Sequence, residues 1–147
     1  MIKQSLYITV AAFISLSVNS MPLLANTFVD NGNGTVTDTA TGLIWQQQDD
    51  NVARSRSAAI SYCKSMNLAG KQEWRLPRFN ELKTLAHYQD ADIANGEKLF
   101  PNTKPSFYWS VSRRTTNSSA VWNKVLSFGD TGSSAKSTNN YVRCVAN

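Results

Sequence analysis

The sequence predicts an α+β domain, two helices with an antiparallel sheet, and three observations carry that prediction. Two stretches repeat apolar residues at three- and four-residue steps. Short β-branched and aromatic runs lie toward both ends of the chain. Its two cysteines fall one in each kind of segment. With 147 residues there is room for a single core. Hydrophobic residues at 41% and charged residues at 17% exclude a disordered tail. The absence of heptads or a glycine period excludes a rod.

Early in the chain, Phe28-Val29, the β-branched run at residues 35–37 and Leu43-Ile44-Trp45 read as short strands of a hairpin or small meander. Asp30-Asn31-Gly32-Asn33-Gly34 and residues 38–42 separate them as turns, since Gly and Asn tolerate positive φ. The Asp30, Asn31, Asn33 and Asp38 side chains raise the question of calcium, but the alternating ligands and terminal Glu of an EF-hand are missing. Turn chemistry accounts for them, and the predicted set of metal ligands is empty.

Ser55 or Ser57 caps a first helix running to about Asn67. Ala59, Ile60, Cys63 and Met66 form its apolar stripe, which puts Cys63 on the buried face; Gly70 is its stop. Arg54, Arg56, Lys64 and Lys71 read as a solvated face. Trp74-Arg75-Leu76-Pro77 is an extended piece, and a second helix begins near Phe79 with Leu82, Leu85 and Ala86 inward. Glu81 lies in its first turn, where a carboxylate is favoured. Residues 88–105 read as a long loop. Residues 107–112, 120–128 and 140–145 read as strands, joined by polar connections at 113–119 and 129–139.

Residues 1–25 have the anatomy of a signal peptide: Lys3, an apolar stretch at 6–16 too short to span a membrane, and Leu23-Leu24-Ala25 as cleavage site. Val18-Asn19-Ser20 is a weaker cleavage site, and an uncleaved anchor helix is the other reading. Cleavage leaves residues 26–147 as the domain, without a membrane span, in the periplasm or outside the cell. Export permits a disulfide. Cys63 and Cys144 either remain free or form the single possible bond, which would staple the first helix to the last strand. Closing so long a loop stabilises by roughly 4–5 kcal/mol in the chain-entropy view. Loss of Lys3 takes the formal charge from +5 to +4, a sign that favours anionic partners without demanding them.

The ordered series Asp30-Asn31-Gly32-Asn33-Gly34-Thr35-Val36-Thr37-Asp38, Thr41-Gly42-Leu43-Ile44-Trp45, Tyr62-Cys63, Leu68-Ala69-Gly70, Trp74-Arg75-Leu76-Pro77, Glu81-Leu82, Phe100-Pro101-Asn102-Thr103, Tyr108-Trp109-Ser110 and Tyr141-Val142-Arg143-Cys144-Val145 resembles the Lcl C-terminal domain family. That family is named for a Legionella collagen-like adhesin. The resemblance spans residues 28–145 and implies a C-type-lectin-like fold, with terminal strands joined and the first helix tied to the last strand by a disulfide. The Trp74 to Leu82 stretch is also similar to part of the formylglycine-generating enzymes, whose active sites use cysteines. Two departures stand out. Family members usually carry a small hydroxyl residue where this chain has Arg78, and the adhesin's collagenous, trimerising stalk has no counterpart here, so a homo-oligomer rests on family analogy alone.

For catalysis the chain offers one histidine, His87, and loop carboxylates such as Asp49-Asp50 and Asp90/Asp92, with no phosphate loop and no cofactor motif. The expectation is an exported, non-catalytic binding module. Arg113, Arg114, Lys124, Lys136 and Arg143, beside Trp109 and Tyr141, are the candidate ligand-binding residues. Guanidinium groups grip sulfate or carboxylate in bidentate fashion and aromatic faces pack on sugar rings. An anionic (sulfated or uronic) polysaccharide or another surface ligand is the expected partner. Arg143 reads equally as a structural ion-pair partner. Nucleic acid is not expected, since no recognised motif appears. The other function class is an assembly subunit of a surface appendage or envelope complex that binds protein partners.

Overall fold

The computed structural model describes residues 27–113, 120–125, 131–135 and 137–147. The predicted leader lies outside them. The elements run β1 (Phe28–Asp30), β2 (Thr35–Asp38), β3 (Ile44–Gln46), α1 (Arg56–Ser65), α2 (Phe79–Ala91), α3 (Ile93–Leu99), β4 (Phe107–Arg113), β5 (Ala120–Val125), β6 (Thr131–Ala135) and β7 (Val145–Ala146). Among the described residues the fold is α+β, with three helices and antiparallel sheets. Among the described residues no helix is long and apolar enough to cross a membrane.

The first sheet has the order β1-β2-β3-β7, all antiparallel, so the chain's end closes onto its opening meander. Its tight turns use the polar side chains locally. Asp30 Oδ1 accepts from Gly32 N–H at 2.8 Å, Asn33 Oδ1 from the Thr35 hydroxyl at 2.6 Å, and Asp38 Oδ2 from the Thr41 hydroxyl at 2.8 Å. Successive residues of a strand face opposite ways, and the core divides accordingly. Trp45 and Val145 join Leu82, Leu85 and Phe100 under α2, while Ile44 and Ala146 join Ala59, Trp74 and Trp109 beside α1. The sheet is therefore covered on both faces.

Ser55 caps α1, accepting from Ala58 N–H at 3.4 Å. Cys63 is bonded to Cys144, the residue just before β7, across a Cα separation of 5.6 Å. The bond thus fastens α1 to the strand end as expected, although the final strand is shorter than residues 140–145 and begins one residue after Cys144.

Two readings need correction. The long loop at 88–105 contains a longer α2 and a third helix, whose start is capped by Asp92 accepting from Asn95 N–H at 3.2 Å. The polar connection at 129–139 contains β6, which pairs with β5 from Ala120 opposite Ala135 to Lys124 opposite Thr131. The result is a second sheet, β4-β5-β6, in place of one continuous sheet. It is attached to the first through residue 141: Trp109 N–H donates to Tyr141 O, and Tyr141 N–H to Phe107 O, each at 3.0 Å.

Candidate anion-binding end of the second sheet

The ladder between β4 and β5 is regular from Phe107 to Trp109 and then shifts before Arg113, which faces Val121. The shift has a cause. Val111 N–H donates to Pro77 O at 2.8 Å, so this part of β4 is held by the segment leading into α2. One residue on, Ser112 Oγ accepts from Phe79 N–H at 3.0 Å, capping the first turn of α2 from outside the helix. The Arg56 guanidinium, from the start of α1, donates to Val111 O at 3.2 Å. Positions 56, 78 and 113, far apart in sequence and each an arginine, are therefore brought to one end of the second sheet. Val111 between them is 40% exposed. Ala135, opposite Ala120, brings the end of β6 to the same edge.

Arg78 stands at the N-cap of α2 with an extended backbone. Its N–H donates to Glu81 Oε2 at 2.6 Å, and Glu81 in turn takes two hydrogen bonds from the Arg75 guanidinium, both at 2.9 Å. Half-burial opposes charge on Glu81, yet Arg75 and the Arg78 amide outweigh it and hold the carboxyl below its usual range. A guanidinium has no acceptor, so the reciprocal half of a capping box is missing at Arg78. Its side chain is exposed and makes no ion pair among the described residues.

Of the sequence-predicted site residues, Arg113 lies at this end and Arg114 follows it, outside the described residues, as does Lys136 after β6. Lys124 faces Tyr108 and Thr131 near the opposite end of β5, three positions from the partner of Arg113 and so roughly 10 Å away. Two predicted contacts are corrected. Arg143 is fully buried; Nη1 donates to Gln46 O at 2.8 Å and to Gln47 O, and Nη2 to Asp49 Oδ2 at 3.2 Å and Thr103 Oγ1 at 3.1 Å. It is the ion-pair partner, not a surface contact. Trp109 is also fully buried, with Nε1 donating to Arg54 O at 2.6 Å. Tyr141 is half-buried against Tyr108, ring centroids 5.8 Å apart.

The Asp49–Arg143 centre is closed to ligands. Asp49 Oδ2 also accepts from the Tyr108 hydroxyl at 2.7 Å, and Oδ1 from Asn51 N–H at 2.9 Å. Burial drives the Tyr108 hydroxyl far above its ordinary value. His87 is exposed on α2, and both cysteines are engaged in the disulfide. Among the described residues no three His, Cys, Asp or Glu side chains gather as a metal site.

The model of the Lcl C-terminal domain family matches residues 34–146. This chain belongs to that family. No curated protein matches it. Within this Lcl C-terminal domain, Arg78 is the site residue whose signal was present in sequence, as the departure from the usual hydroxyl. Arg56 had none, since a basic residue on the first turn of a helix is ordinary surface.

Proposed function

We propose that this chain is an exported, non-catalytic binding module of C-type-lectin-like fold that takes an anionic polysaccharide, sulfated or uronic, at the arginine-bearing end of the second sheet. The observation that carries this reading is that the Arg56 guanidinium donates to Val111 O while Val111 N–H donates to Pro77 O, which brings positions 56, 78 and 113 to one end of the sheet. Guanidinium groups suit planar anions, and several acting together distinguish an arranged site from diffuse charge. Arg114, Lys136 and, at the far end, Lys124 extend the cationic set along the chain. The lectin-like assignment is supported by the closure of β7 onto β3 and by the Cys63–Cys144 staple. Engagement of both cysteines supports a binding role over thiol chemistry. Residues 1–25 support export to the periplasm or beyond.

The test compares elution of the exported protein from heparin and from a plain sulfonate exchanger of similar charge density. The reading expects release from heparin at clearly higher salt, with the difference reduced by Arg56→Ala, Arg78→Ala or Arg113→Ala. Coincident elution overturns it. The assembly reading draws on one observation: β6 is an edge among the described strands, and an edge strand can pair with another chain. A complex stable at high salt together with coincident elution would favour it.

A further inference from the structure

A pocket of about 390 Å³ opens between the C-terminal half of α2, α3 and the loop after α3. Gln89, on α2, lines it and is only 8% exposed. Its Nε2 donates to Thr103 Oγ1 at 3.1 Å, but its buried Oε1 has no hydrogen-bond partner. Thr103 cannot supply one. Its hydroxyl proton goes to Phe100 O at 3.0 Å, and its oxygen also accepts from Arg143 Nη2 at 3.1 Å. A buried amide oxygen without a donor is costly, and a ligand that donates to it recovers that loss.

The pocket wall is close-set. A Cβ at Gly96 would come within 3.0 Å of the Gln89 Cα, so α3 packs against α2 without an intervening side chain. Glu97, one residue on, is exposed, lines the same pocket and makes no ion pair among the described residues. Ile93, at 65% exposure, is the most exposed of the large hydrophobic residues described and borders it too. Among the described residues the lining contains no cationic side chain. Two acceptors seeking donors, one neutral and buried and one anionic, thus sit beside apolar surface. From this we infer a second ligand site, for a small organic cation that carries N–H donors on an apolar body, such as an aralkylammonium. The ammonium neutralises Glu97, an N–H reaches Gln89 Oε1, and the apolar body covers Ile93. The volume is within the range of small-ligand pockets.

The exported protein, expressed with its own leader, is titrated by NMR with 2-phenylethylammonium. The probes 2-phenylethanol and 3-phenylpropionate serve as neutral and anionic matches of similar size. Saturable binding is expected for the ammonium alone. Glu97→Gln, at an exposed position, should weaken it about tenfold, and Gln89→Leu by a similar factor. Arg78→Ala should leave it unchanged, which keeps this site separate from the polysaccharide reading. Since Gln89→Leu alters a buried contact, Glu97→Lys is the second variant and should abolish binding in a folded protein. Equal binding of the alcohol or the acid, no saturable binding, or full affinity in Glu97→Lys each overturns the proposal.

Discussion

Arg143 and Arg78 carry the same guanidinium into opposite surroundings. Around Arg143, the Gln46 and Gln47 carbonyls, the Asp49 carboxylate and the Thr103 hydroxyl converge, supplied by segments that the first sheet and the loop after α3 hold in place. Around Arg78 the local carboxylate, Glu81, is already engaged by Arg75 and by the Arg78 amide, leaving the guanidinium to solvent. Burial of a charge depends on such convergence, because an ion removed from water costs several kcal/mol unless nearly every donor finds an acceptor. One arginine is therefore part of the interior and the other is left at the surface; Arg143 belongs to the family pattern, whereas Arg78 departs from it.

The comparison breaks most severely at Arg143. Arg143→Met leaves Asp49 buried, with the Tyr108 hydroxyl and the Asn51 main-chain N–H still donating to its carboxylate, and should cost about 3–5 kcal/mol in urea unfolding. Heparin elution of the folded fraction should stay where it was. A loss below about 1 kcal/mol would mean that water reaches Asp49. A lowered elution salt would mean that Arg143 reaches the ligand after all.

The pH dependence separates the two regions further. Glu81 has its folded value held below the unfolded 4.5, so its contribution is complete above that value and is lost as pH falls through the lower folded one. Glu81→Gln should cost about 1–2 kcal/mol at pH 7, allowing for partial exposure of Arg75, and the gap from the parent should close as pH falls below 4.5 and through the lower folded value. A gap that persisted below that value would show that shape, not charge, matters there. Tyr108 acts at the other extreme. Its folded value lies above the unfolded 10.0, so the neutral phenol contributes stability below pH 10 that disappears as pH rises through the folded value. Alkaline unfolding should move to higher pH, relative to neutral stability, in Tyr108→Phe.

Local features were legible in the sequence, and apart from the Cys63–Cys144 bond the non-local ones were not. The α1 cap at Ser55, the start of α2 at Phe79 and the placement of Cys63 are written within a few residues of themselves. By contrast, α3 spans only Ile93–Leu99, contains Gly96 and lacks an apolar stripe; its packing on Gln89 and its Asp92 cap hold it. The β6 sequence Thr-Gly-Ser-Ser-Ala has few β-branched or aromatic residues, and its strand exists through pairing with β5. The surroundings of Arg143 are non-local as well. Residues 142–146 are buried on both sides, so the period of two no longer divides inside from outside. The arginine cluster joins positions 56, 78 and 113 through main-chain contacts that no spacing encodes.

The smallest change is the sharpest test, because at Arg78 stability and binding should move in opposite directions. Glu81 already supplies its half of a capping box to the Arg78 N–H, and Ser112 supplies one further acceptor to Phe79 N–H. A threonine at 78 would add the missing acceptor for the Glu81 N–H, so Arg78→Thr should raise stability by about 0.5–1.5 kcal/mol. It also removes one of the three arginines at the end of the second sheet, so heparin elution should fall to lower salt while elution from plain sulfonate falls less. A higher unfolding midpoint with unchanged heparin elution would keep the helix start as described and detach Arg78 from ligand binding. A lower midpoint would mean that the Arg78 side chain already supports the helix through its packing, since its guanidinium can accept nothing from the α2 amides.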